Sequence, residues 1–183
     1  MLYLSLGSQP VVSSVLKDCN LNTNSTIFDN VGDLSFKTLL LCLNTQFKDF
    51  FPPENQIQIY GGIVNVINKV PYNIIRDKRN GTLFYDVLPV GKKLNNVYNG
   101  AKIKYERLAT DFTKIIQNTN SVIFIRQMVD DNENDTIELN NTIGYVYPSC
   151  KFYVKHKYAG NKESKCYDFW KKEMRRLTTR PFR

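Results

Sequence analysis

Ser121-Val122-Ile123-Phe124-Ile125-Arg126 is the stretch on which the fold turns, because its four consecutive apolar residues leave no polar face for solvent. A half-exposed strand alternates apolar and polar side chains, whereas an unbroken β-branched and aromatic run suits a strand covered on both faces. Ahead of it, residues 101–117 place Ile103, Leu108, Phe112, Ile115 and Ile116 on one side at helical spacing. An amphipathic helix feeding a doubly covered strand is the pattern of an α/β sheet. The expectation is therefore one α/β domain over residues 1–183, a mixed sheet flanked by helices.

Outward from that core, residues 2–6 (Leu-Tyr-Leu-Ser-Leu) read as a short buried strand ending at Gly7-Ser8. A helix should follow at once, with Ser8 as N-cap, Pro10 in the tolerated first turn, and Val11, Val12, Val15 and Leu16 as its apolar face. A second helix is expected over residues 33–50, stopped by Pro52-Pro53, and strands over 57–70 and 82–88 with a turn at 77–81. Residues 130–135 form an acidic loop, 143–154 one more strand, and 164–177 a final helix with Phe169 and Met174 inward. No repeat and no linker marks a second domain.

The 183 residues, 42% hydrophobic, exclude disordered, collagen-like and coiled-coil classes. Lys and Arg number 25 against 17 acids, a net +8. Residues 151–183 hold eleven bases and three acids, so the first 150 are neutral and the whole excess lies in this basic C-terminal segment. Lys165, Lys171, Lys172, Arg175 and Arg176 are its candidate partner surface. Four scattered cysteines without a CxxC pair and one histidine give no zinc spacing, so no metal or cofactor is expected and the thiols are read as reduced. Four Asn-x-Ser/Thr sequons among twenty asparagines are expected by chance. No run approaches a membrane span and no signal-peptide pattern opens the chain, so the expected location is intracellular, in the cytoplasm, or in a host cell or virion for a viral protein. Heavy use of Asn, Lys, Ile, Tyr and Phe points to a low-GC genome.

Three segments carry a family resemblance. Ser5-Leu6-Gly7-Ser8 before a helix, with Ile27-Phe28-Asp29 after it, is one; Lys104-Tyr105-Glu106-Arg107 continuing to Phe112 and Val122-Ile123-Phe124-Ile125-Arg126 is the second; Phe169-Trp170 is the third. Together they resemble the putative papain-like cysteine peptidase family of unknown function, known from bacteria and large DNA viruses. The resemblance implies an α+β papain-like arrangement as the alternative fold, and a Cys at the head of the first helix paired with a later His-Asp. Here the Cys position holds Pro10, the His-Asp pair falls on Tyr85-Asp86, and the Trp after Phe28-Asp29 is Asn30. Cysteine catalysis needs a thiolate and a base to make it available, so loss of both implies a pseudoenzyme with no catalytic residue.

Substitutes are poor. Cys19 lies roughly 13 Å down the first helix at 1.5 Å per residue and reads as a buried helix residue. His156, among lysines, reads as a solvated imidazole. Ser8 at a helix N-terminus is either an ordinary cap or an anion site, with the cap favoured. Asp29 and Asp86 are either a carboxylate pair or turn caps, and Arg126 either binds an anion or pairs with a carboxylate. The degenerate site is thus Ser8, Pro10, Asp29, Tyr85, Asp86 and Arg126. The function expected is protein binding by a non-catalytic relative, through the basic segment. The alternative is nucleic-acid association through that segment and its aromatics, and an active hydrolase ranks last.

Overall fold

The computed structural model describes residues 1–7, 10–21, 26–64, 71–127, 132, 134–158 and 163–179. Along the chain its elements are β1 (Leu2–Ser5), α1 (Val11–Asp18), β2 (Val31–Gly32), α2 (Phe36–Asn44), β3 (Ile57–Val64), β4 (Pro71–Asp77), β5 (Leu83–Pro89), α3 (Leu94–Gln117), β6 (Ser121–Gln127), α4 (Asp135–Val146), β7 (Lys151–Lys157) and α5 (Glu163–Thr179), with a 3-10 turn at Glu54–Gln56.

β6 is the centre of a parallel sheet of order β1-β6-β7, with Leu4 opposite Phe124 and Arg126 opposite His156. Side chains alternate across a strand, and the two buried clusters follow that alternation. Leu4, Leu6, Val122 and Phe124 join the core made with α2, α3 and α4, including Leu39, Leu43, Phe112, Ile116, Leu139 and Ile143. Tyr3, Ile123 and Ile125 join a second cluster with Val12, Val15 and Leu16 of α1 and Trp170 and Met174 of α5. The α/β expectation holds. A second, antiparallel sheet of order β2-β5-β4-β3 supplies the other strand sense and packs beneath α3, its Phe84 ring edge-on to Tyr105 at 5.1 Å.

Several boundaries differ from the sequence reading. α2 covers only residues 36–44, because Asp33 is left-handed (φ +49°) and Ser35 caps the helix by accepting the Thr38 N–H at 3.1 Å. Its far end closes well before the prolines: the Phe47 N–H bonds the Cys42 carbonyl and the Gln46 N–H the Leu43 carbonyl, with Gln46 left-handed at φ +52°. That is the Schellman pattern. It turns Phe47 into the core instead of continuing the helix. α1 ends in the same way at Asn20 (φ +55°), the Leu21 N–H reaching the Leu16 carbonyl. The expected strand over 57–70 ends at Val64, with 65–70 outside the described residues, and β4, unforeseen, pairs with both β3 and β5. Pro71 at its first residue is tolerated there, and polar Asn73 and Arg76 break the alternation that would have revealed it. α3 begins two turns earlier than expected, and its Ile103 is 65% exposed, the buried face being Ala101, Tyr105, Ala109, Phe112 and Ile116. Residues 143–146 are helical, not strand. Asn140, Asn141 and Gly144 are poor helix formers, but Leu139 and Ile143, four apart, are fully buried and the packing overrides propensity. In α5, Met174 is buried as expected, while Trp170 rather than half-exposed Phe169 is the anchor. Of the expected 130–135 loop, residues 130, 131 and 133 lie outside the described residues, and Asp135 already opens α4. Among the described residues no helix is long and apolar enough to cross a membrane.

A left-handed residue with a Cβ costs about 1–2 kcal/mol, which glycine avoids. Gln46→Gly should therefore raise the unfolding free energy by about 1 kcal/mol in urea titration, and a lower midpoint would contradict the Schellman assignment.

Candidate functional site

In open α/β sheets ligand sites lie beyond the carboxyl ends of the parallel strands, so the exits of β1, β6 and β7 are the place to look. At the β1 exit Gly7 has φ +78°, and a Cβ there would stand 2.9 Å from both Phe28 Cδ1 and Leu34 Cδ2. Only glycine allows this turn and this approach together. Ser8, the expected cap, lies outside the described residues. Pro10 occupies the N-cap position of α1 at φ −63° and supplies no side-chain acceptor. Its carbonyl takes the Ser14 N–H at 3.1 Å.

Asp29 is tied to α1. Lys17, two turns along α1, sits 2.6 Å from its carboxylate, and Thr26 donates its hydroxyl at 2.7 Å, leaving the Asp29 side chain 8% exposed. Tyr85 and Asp86 lie in an irregularity of β5, where the register passes from Asn73–Leu88 to Ile75–Phe84. This bulge puts Asp86 at φ +57° and lays the Tyr85 ring over β2, so that a Cβ on Gly32 would meet its ring carbon and hydroxyl at 2.8 Å. Bulges re-aim side chains in this way beside functional sites. Burial, then the charges of Asp86 and Asp29, push the buried Tyr105 phenol up. Both carboxylates therefore act on one ring, and the Phe-Asp, Tyr-Asp and Tyr-Glu-Arg segments converge there. No hydrogen bond, ion pair or ring contact among the described residues joins Pro10 to that group.

Arg126 is fully buried at the end of β6. Its guanidinium donates to the Leu6 carbonyl at 3.3 Å and the Leu34 carbonyl at 3.1 Å and lies 5.9 Å from the centre of the Phe36 ring. It thus bolts the β1 exit to the segment before α2. Phe36 also corrects the reading of His156. The imidazole is not a solvated ring but stacks on Phe36 at 6.2 Å and 14°, with Nδ1 2.8 Å from the Thr136 hydroxyl. Sequence spacing could not bring these together, since Phe36, Arg126, Thr136 and His156 come from four elements.

Among the thiols, burial pushes Cys42 up to about 12 and raises Cys150, the reverse of what a nucleophile needs. Cys19 stands half-buried at the C-cap of α1 rather than inside the helix. Among the described residues no cluster of three or more His, Cys, Asp or Glu could hold a metal ion.

In the basic segment, Lys171, Lys172, Arg175 and Arg176 line one groove along α5 with Asp168 and Thr179, while exposed Lys165 lies outside it. Glu173, on the inner side, organises the base of that helix. It meets Lys155 at 3.1 Å, Lys157 at 3.9 Å and Arg176 at 3.1 Å. Burial pushes its carboxyl up, but the Lys155 hydrogen bond and charge, with Lys157 and Arg176, outweigh burial and hold it below the usual range. Glu173 is thus consumed by its pairs, and Lys165, Lys172 and Arg175 have no ion-pair partner among the described residues.

A parallel sheet covered on both faces, with a glycine turn feeding a helix at its carboxyl edge, defines an α/β protein of the kind that carries a site at that edge. The chain belongs to the family described as putative papain-like cysteine peptidase, whose sequence model matches residues 1–146. The match ends with α4, so β7 and α5, including Phe169-Trp170, stand outside it. Searches of curated proteins and of solved structures each returned no match.

Gly7→Ala should cost about 2–4 kcal/mol, left-handed strain added to overpacking against Phe28 and Leu34; a loss below about 1 kcal/mol in chemical denaturation would show the turn to be loose. Glu173→Gln removes the charge facing three cations and should cost about 2 kcal/mol at neutral pH. Because the folded carboxyl titrates below its unfolded value of about 4.3, that contribution is present above the unfolded value and lost as pH falls through the folded one. The melting-temperature gap between wild type and Glu173→Gln should therefore close in acid, and a gap that widens there would refute the assignment.

Proposed function

We propose that this chain is a non-catalytic member of its family that works by binding an acidic protein surface through α5. The observation that carries the reading is the occupancy of two positions: where the family resemblance places a nucleophilic Cys and its base, this chain has Pro10 and Tyr85. Proline offers no nucleophile. Tyrosine at 85 removes the imidazole that would take a proton from a nucleophilic thiol, and its ring packs over Gly32. The elevated Cys42 and Cys150 thiols support the same reading. For the binding role, support comes from the α5 groove, where four cations cluster while Glu173 faces inward.

The purified chain should show no turnover of fluorogenic peptide substrates. A turnover abolished by substituting Pro10 or Tyr85 would overturn the pseudoenzyme reading. For binding, the triple variant Lys171→Glu/Lys172→Glu/Arg175→Glu should release a captured protein partner with its melting temperature unchanged, these side chains being partly or fully exposed. A second reading rests on Tyr153 and Tyr158, which stand 43% and 56% exposed among the lysines of and after β7 and offer stacking surfaces to single-stranded nucleic acid. Oligonucleotide affinity that falls steeply with salt and disappears in the same triple variant would favour that reading over protein binding.

A further inference from the structure

A groove along α2 carries a separate inference, independent of the role assigned to α5. It has a volume of about 670 Å³ and is bounded by α2, the 45–50 turn and the β4–β5 turn. That size falls within the range of small-molecule sites, roughly 300–1,000 Å³. Leu41, 61% exposed, and the edge of Phe50 give it an apolar floor, and Lys37, Lys48, Arg79 and Asp49 stand around it.

Arg79 is the built part. Asp77, 0% exposed, takes its Nε and Nη2 in a two-pronged contact of 2.7–3.1 Å, and Nη2 also reaches the Asp49 carbonyl at 3.1 Å. The guanidinium is thus fixed in place with Nη1 left without a partner among the described residues. Lys37 and Lys48 likewise have no ion pair among them. The turn beside Arg79 is held as well, since Asp49 lines the groove at φ +54° and Phe47 next to it packs in the core. A non-glycine residue at positive φ persists only where its surroundings impose it.

The charges decide what fits. Arg79, Lys37 and Lys48 give three positive groups, and Asp77 and Asp49 offset two of them, so the groove suits one negative charge rather than two. A pre-oriented guanidinium corner beside an apolar floor matches a carboxylate with a hydrophobic body. We propose that this groove binds a small amphipathic carboxylate, its acid group on Arg79 Nη1 with Lys37 and Lys48 near, its ring or short chain over Leu41 and Phe50.

The test is calorimetric titration of the full chain with 2-naphthoate as probe. Expected is saturable one-to-one binding, with neutral 2-naphthylmethanol and inorganic phosphate each at least about tenfold weaker. Leu41→Glu, at an exposed position, should weaken naphthoate binding at least about tenfold with the melting temperature unchanged. Lys48→Glu, also exposed, is the second variant and should weaken it as well, so the outcome does not hang on one substitution. Failure to saturate, equal binding of the alcohol or of phosphate, or unchanged affinity in both variants would overturn the proposal.

Discussion

Everything in this fold depends on the burial of β6 from Val122 to Gln127. A strand with no wet face must be covered twice, and the chain supplies α2, α3 and α4 on one side and α1 and α5 on the other. Its last two residues are polar, and a buried polar group without a partner would cost several kcal/mol. Arg126 is therefore bonded to the backbone carbonyls of Leu6 and Leu34, and the Gln127 side-chain oxygen Oε1 accepts the Trp170 indole N–H at 2.6 Å. The same two residues tie the central strand to the β1 exit on one face and to α5 on the other. The carboxyl edge of the sheet is rigid because those bonds cannot be released cheaply.

That rigidity explains how the site region is built. Gly7, the Phe28-Asp29 segment and the Tyr85-Asp86 bulge are held by close packing, with Phe28 edge-on to Phe47, Phe50 and Phe112 and Tyr105 stacked against Phe51. Positions that the family resemblance assigns to chemistry are here occupied by a helix-starting proline and a ring lying over a glycine. The cations, by contrast, are gathered on α5, beyond the residues that match the family.

Much of this was legible in the sequence where one physical signal dominated. The unbroken apolar run at 122–125 announced a doubly covered strand, and the balance of charge located the basic helix. Where two signals competed, the reading failed. Leu34, Phe36, Leu39, Leu43 and Phe47 keep helical spacing past the real ends of α2, because a Ser cap and a Schellman turn, not periodicity, set its length. Asn-rich α4 lacks local propensity and exists through Leu139 and Ile143. The site was less legible still, since His156, Phe36, Thr136 and Arg126 meet only after the sheet assembles, and a lone histidine among lysines gives no hint that it will stack on an aromatic ring.

The position of Trp170 has a consequence for biosynthesis. Among the described residues, the second face of the sheet, Tyr3, Ile123 and Ile125, is covered by Val12 and Leu16 of α1 and by Cys166, Trp170 and Met174 of α5, the latter more than 150 residues from β1 in the chain. A ribosome must therefore release residues 163–179 before that face is fully covered, so folding waits on the same helix that bears the positive charge. During that interval the α5 side of that face stays exposed, and transiently exposed apolar surface is prone to aggregate. The helix that we assign to partner binding is also the piece that closes this face, and selection on its charges cannot be separated from selection on its buried side.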